Sequence, residues 1–176
     1  NTLYATVLAI AMAYNAAAQT TLINEDFETP DLGHGTANPA FAGWTWENGG
    51  SVKVREAGND GVPGSTAAPK NQVIQFEYTS ANANYDIPAH TWATGRAYDL
   101  TLNSSPQAWN GSQDRFVKAT ISEQGGPVLW TDTQQLPYYN NFNGQPWGAS
   151  QTFNFLVFTD SFAAGTPGNT ITLKIE

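Results

Sequence analysis

Four carboxylates, Glu25, Asp26, Glu28 and Asp31, fall within seven residues; the first three surround Phe27 ahead of the break that Pro30 imposes. Calcium takes about six to eight oxygens and mixes carboxylates with backbone carbonyls from irregular chain. The cluster therefore suits a structural cation; the plainer reading is a solvated acidic strand end. A second chemistry lies in residues 136–148, LPYYNNFNGQPWG, where Tyr138, Tyr139, Phe142 and Trp147 alternate with Asn140, Asn141, Asn143 and Gln145. Sugar rings present apolar C–H faces that stack on flat aromatics, while their hydroxyls need amide, carboxylate or guanidinium partners. Trp109, Tyr138, Tyr139, Asn141 and Trp147 are the predicted ligand contacts, because they sit in loops rather than at alternating strand positions. Trp46, Tyr78, Tyr85, Trp92 and Trp130 complete the pool of aromatics for such contact, and the plainer reading makes many of them core.

Catalytic chemistry has little to stand on. His34 and His90 are isolated in predicted loops, and no serine occupies a nucleophile elbow. Glu47, Glu77 and Asp99 are carboxylates that no spacing singles out as an acid–base pair. There is no phosphate-cradling glycine loop and no His-Glu-x-x-His run. No catalytic residue and no enzymatic activity is expected.

The elements that must position these groups read as strand after strand. Residues 51–56 alternate with Val52 and Val54 inward, and residues 72–78 set Val73, Gln75 and Glu77 against Ile74, Phe76 and Tyr78. A short strand over 84–88 ends at Pro88, which points to an edge or a turn. Residues 96–102 carry Tyr98, Leu100 and Leu102 inward. Strands over 116–122 and 127–133 are joined by Glu123-Gln124-Gly125-Gly126, a hairpin turn by its glycines. Residues 152–159 put Phe153, Phe155 and Val157 on one face, with Leu156 and Phe158 partly filling the other, and 170–175 form the last strand. Nine or ten strands at a spacing near ten residues predict an all-β, two-sheet sandwich with jelly-roll connections. Asn103 and Asn110 head Asn-x-Ser sequons, a common coincidence in a chain rich in Asn and Ser.

Composition sets the boundaries. Aromatics make up 12% of 176 residues and charged residues only 12%, with 16 Gly and 10 Pro, as in a loop-rich β domain. Acidic residues outnumber basic ones 15 to 7, and the net charge of −8 argues against nucleic acid or anionic lipid as partner. The absence of cysteine excludes disulfides and thiolate chemistry.

Residues 1–18 are uncharged and apolar, too short to span a bilayer, which takes about 20 apolar residues. With Ala16-Ala17-Ala18 ahead of Gln19 they read as a secretory signal, leaving residues 19–176 as the domain. The competing reading uses the alternation of Tyr4, Thr6, Leu8, Ile10, Met12 and Tyr14: an extended strand inserted into a neighbouring subunit of a structural or adhesive assembly. Because the sequence stops inside a predicted strand, which would leave an open edge, truncation at the C-terminus is expected.

The pattern Asn24-x-Asp26-Phe27-Glu28, a variable insert and then Gly43-Trp44 resembles the opening of galactose-binding-like β-sandwiches, and most closely carbohydrate-binding modules of families four, nine and twenty-two. Gly95-x-x-Tyr98-x-Leu100-Thr101 is similar to their mid-domain strand. The resemblance implies a non-catalytic module of a larger secreted, cell-surface bacterial protein, with a polysaccharide or glycan as partner and no membrane in the mature form. It also implies Phe27 and Trp44 in the core and a structural calcium ion held by Glu28 with Asp26. Two positions depart from it: Glu25 stands where the family has glycine, and no Asp-Asp/Asn-Val strand precedes Glu176.

Overall fold

The computed structural model describes residues 20–25, 27, 29–47, 52–56, 72–76, 82–104, 115–136 and 151–176. The described chain is all-β and antiparallel throughout, and its only helical element is a single 3-10 turn, Thr159–Ser161. The strands are β1 (Trp44–Glu47), β2 (Val52–Glu56), β3 (Gln72–Phe76), β4 (Asn82–Thr91), β5 (Ala97–Ser104), β6 (Arg115–Glu123), β7 (Val128–Leu136), β8 (Gln151–Phe158) and β9 (Thr170–Ile175). They form a five-stranded sheet, β1-β4-β9-β6-β7, and two two-stranded ribbons, β2-β3 and β5-β8.

Register explains the layers. Trp44, Tyr85, Leu173, Ile121 and Trp130 face one another in a single row across all five strands of the large sheet. Successive side chains on a strand point to opposite faces, so this row and its i±2 neighbours define one apolar face. The β5-β8 ribbon turns Tyr98, Leu100 and Leu102 toward that face, paired with Val157, Phe155 and Phe153. Together they make one core, with Trp130 meeting the Phe155 ring edge-on at 6.0 Å. Two apolar faces closed on each other are compatible with the expected β-sandwich.

Several expectations need correction. β4 runs the full length Asn82–Thr91, so Pro88 does not end the strand, although it lies beyond the β1 ladder, which stops at Tyr85. Proline lacks the N–H a ladder requires, and the register breaks between Asp86 and Thr91 to accommodate it. On β8 the second face is not filled: Leu156 is 59% and Phe158 50% exposed. In β3 the buried positions include Gln72 and Gln75. β9 is hydrogen-bonded on both sides, so the unpaired edge expected there does not exist. His90 belongs to β4 rather than a loop, and its Nε2 lies 2.9 Å from the Tyr98 hydroxyl.

The burial of Gln72 has a clear cause. Its side-chain amide donates to the Phe27 and Pro30 carbonyls at 3.0 and 3.1 Å, and its oxygen accepts from the Leu32 N–H at 3.0 Å. One residue of β3 thus fastens the opening loop, and a buried amide is tolerable because its groups are satisfied. Trp44 and Trp46 point the same way, stacked at 6.1 Å and 8°, and Trp44 also packs against Phe27 and Tyr85. Gly43 makes this approach feasible. Its φ is +81°, and a Cβ there would stand 2.6 Å from the Tyr85 ring.

Candidate functional site

The second face of the five-stranded sheet is polar, and it is the strongest candidate surface among the described residues. One row reads Thr45, Asn84, Lys174, Thr120 and Thr131 across the five strands; beside it lie Asp86, Thr172 and Ser122. Apolar residues on β6 and β9 point into the core, which forces their Lys, Thr and Ser neighbours onto this face. The face holds a shallow depression of about 440 Å³ lined by Asn84, Lys118, Thr131, Thr172, Lys174 and Glu176 among others. Phe116 lies on the same face of β6, two residues before Lys118, and is 52% exposed.

Charge on this face is largely paired. Lys174 Nζ lies 3.3 Å from Glu47 and 3.4 Å from Glu176, and Lys118 Nζ lies 2.7 Å from Glu176. Burial works to raise the Glu176 carboxyl, but the Lys118 hydrogen bond and the Lys174 and Lys118 charges outweigh it and hold it below the usual range. Hydroxyls fill the spaces between: Thr120 and Thr131 are 3.0 Å apart, and Thr172 donates to Asp86 at 2.6 Å. Hydroxyls and amides both donate and accept, so the surface matches a ligand that itself carries many hydroxyls.

The rim of the sheet is fastened by a buried carboxylate. Glu123 accepts from Trp92 Nε1 at 3.1 Å, from Asn169 Nδ2 at 2.9 Å and from the Thr166 N–H. The Asn169 and Thr166 hydrogen bonds hold its carboxyl below the usual range against the opposing effect of burial, and Trp92 adds to them. Its folded pKa is depressed, so its stabilising contribution is complete above the ordinary value of 4.5 and disappears as pH falls through the lower folded value. The melting temperature should therefore fall as the solution is acidified below that ordinary value. In Glu123→Gln the same titration should give a shallower fall, and equal slopes in the two proteins would count against this role.

The predicted site residues fare unevenly. The ligand contacts Trp109, Tyr138, Tyr139, Asn141 and Trp147 and the metal ligands Asp26 and Glu28 lie outside the described residues, as does Tyr78. Of the wider aromatic pool, Trp92 is buried, Trp130 and Tyr85 pack on the core, and Trp46 donates its indole N–H to the Pro39 carbonyl. These contacts tie the four rings to the fold; Trp92 is buried, and Trp46, Tyr85 and Trp130 keep part of their surface exposed. The two described carboxylates of the opening stretch are occupied locally, Glu25 accepting from the Phe27 N–H and Asp31 from the Gly33 N–H. Among the described residues no group of three or more His, Asp or Glu is placed to hold a metal ion.

No protein-family model, curated protein or solved structure matches this chain. Its function must therefore be argued from its surfaces. Among the described residues no helix is long and apolar enough to cross a membrane. The sheet face was half-legible in the sequence: the alternation Lys118, Thr120, Ser122 and Thr170, Thr172, Lys174 marks solvated faces, but nothing in it says that the two strands are neighbours.

Proposed function

We propose that the chain is a non-catalytic, carbohydrate-binding-like module of a secreted or cell-surface protein, and that it holds a glycan against the polar face of the five-stranded sheet. The supporting observation is the register of hydroxyl, amide and paired-charge side chains across five strands, with the half-exposed Phe116 ring on the same face. Strands about 4.8 Å apart repeat these groups at intervals that suit an extended polymer of rings. The reading carries with it jelly-roll connectivity, export directed by residues 1–18, and a structural calcium ion at Asp26 and Glu28. Trp109, Tyr138, Tyr139, Asn141 and Trp147 belong to it as further ligand contacts from the loops.

Affinity electrophoresis through gels containing plant or algal polysaccharides tests this directly. At least one should retard the protein, and Phe116→Ala should weaken that retardation about tenfold, equivalent to about 1.4 kcal/mol. Free migration through every polysaccharide tried would sink the module reading.

A further inference from the structure

The opposite face of the molecule carries a separate constellation where β8 runs into the 3-10 turn. The turn is fastened to the start of β5 by a set of short-range bonds. Thr159 N–H donates to the Arg96 carbonyl at 2.9 Å, and Arg96 N–H donates to Thr159 Oγ1 at 2.9 Å. Gly95 N–H donates to Asp160 Oδ1 at 2.7 Å, and Ser161 Oγ donates to the Phe158 carbonyl at 2.6 Å. Thr159 itself is 2% exposed. The corner is thus rigidly framed before any ligand arrives, which lowers the ordering cost of binding.

What the frame presents is an aromatic ring between a cation and an anion. Arg96, Phe158, Asp160 and Ser161 line a depression of about 400 Å³. The cross-strand partner of Phe158 is Ala97, whose methyl is too small to cover the ring. Leu156 extends the apolar strip two residues earlier on the same face of β8. Among the described residues the Arg96 guanidinium has no carboxylate within ion-pair distance. Asp160 keeps Oδ2 as an acceptor once Oδ1 has taken the Gly95 N–H.

We propose that this corner binds a single uncharged pyranose residue, stacked by its C–H face on Phe158, with neighbouring hydroxyls donating to Asp160 and accepting from Arg96. A guanidinium alone would favour an anion, but Asp160 in the same depression and a net charge of −8 oppose a uronate or phosphate. A sugar hydroxyl satisfies both groups at once, because it donates and accepts. The inference rests on the glycan reading of the protein but not on the sheet face, because Phe158 lies on the layer turned away from that face.

The experiment is an amide-resolved NMR titration of the whole chain with the methyl glycosides of glucose, galactose, mannose and xylose, and with glucuronate. At least one uncharged glycoside should shift the Gly95, Arg96, Phe158 and Asp160 resonances. Phe158→Ala should abolish those shifts, and Asp160→Asn, which retains an acceptor for the Gly95 N–H, should weaken binding about tenfold, equivalent to about 1.4 kcal/mol. Shifts confined to the sheet face, around Thr120, Thr131 and Thr172, would overturn the corner site and leave the glycan reading intact. Tighter binding of glucuronate than of any uncharged glycoside would overturn the ligand class. If no glycoside shifts any resonance the corner proposal fails, and if the gels also retard nothing the glycan reading fails with it.

Discussion

Phe155→Ala should destabilise the protein by about 3–5 kcal/mol, as expected for removing a large buried aromatic. Phe155 is 1% exposed, faces Leu100 across the β5-β8 ribbon and meets the edge of Trp130 from the large sheet. It is therefore a contact through which the two layers hold each other, and its loss leaves a cavity between sheets that cannot easily collapse. The next residue supplies the control. Leu156 points to solvent, and Leu156→Ala should stay within about 0.5 kcal/mol of the parent. Urea unfolding monitored by tryptophan fluorescence would measure both. Equal losses in the two variants would mean that β8 presents a different face to the core.

Gly165→Ala should be nearly as damaging, for a different reason. Gly165 has φ of +98°, and a Cβ there would lie 2.5 Å from Leu129 Cδ2 and 2.6 Å from Glu123 Oε1. The backbone conformation costs about 1–3 kcal/mol for a residue with a side chain, and forcing the methyl into packed neighbours adds about 1–3 kcal/mol. Gly168→Ala separates the two contributions, because Gly168 has φ of +103° with nothing within 4 Å of its would-be Cβ. Thermal melts should place Gly168→Ala between the parent and Gly165→Ala. Because Glu123 also holds the Trp92 indole, Gly165→Ala should shift the near-ultraviolet circular dichroism. If the two glycine variants melted together, the loop would not be packed against Glu123.

Local alternation made much of the fold readable. Val52 and Val54, Tyr98, Leu100 and Leu102, and Phe153, Phe155 and Val157 face inward as their spacing demands, and the glycine turn after Glu123 does join β6 to β7. Strand order was not readable, because alternation specifies a face and not a neighbour. Nothing around Thr170–Ile175 announces that β9 inserts between β4 and β6. The polar side chains that hold the fold were equally silent: Gln72 serves Phe27, Pro30 and Leu32, and Glu123 serves Trp92, Thr166 and Asn169, each across a long stretch of chain. A glutamine in a strand and a glutamate before a turn look like ordinary surface residues until the distant donors arrive. The corner was hidden for the same reason, since Arg96 and Asp160 meet only through the β5-β8 register. Sequence reasoning favoured aromatics in loops as ligand contacts, whereas Phe116 and Phe158 are exposed on strands.

The place of β9 has a consequence for how the molecule is made. On a ribosome β4 and β6 emerge well before β9, yet each owes one of its sheet edges to it. Until β9 is free, the nascent chain carries two unsatisfied strand edges flanking an apolar surface, the kind of intermediate that associates with other chains. The large sheet can close only after translation has passed Ile175, and its closure is dominated by distant pairings and slow on that account.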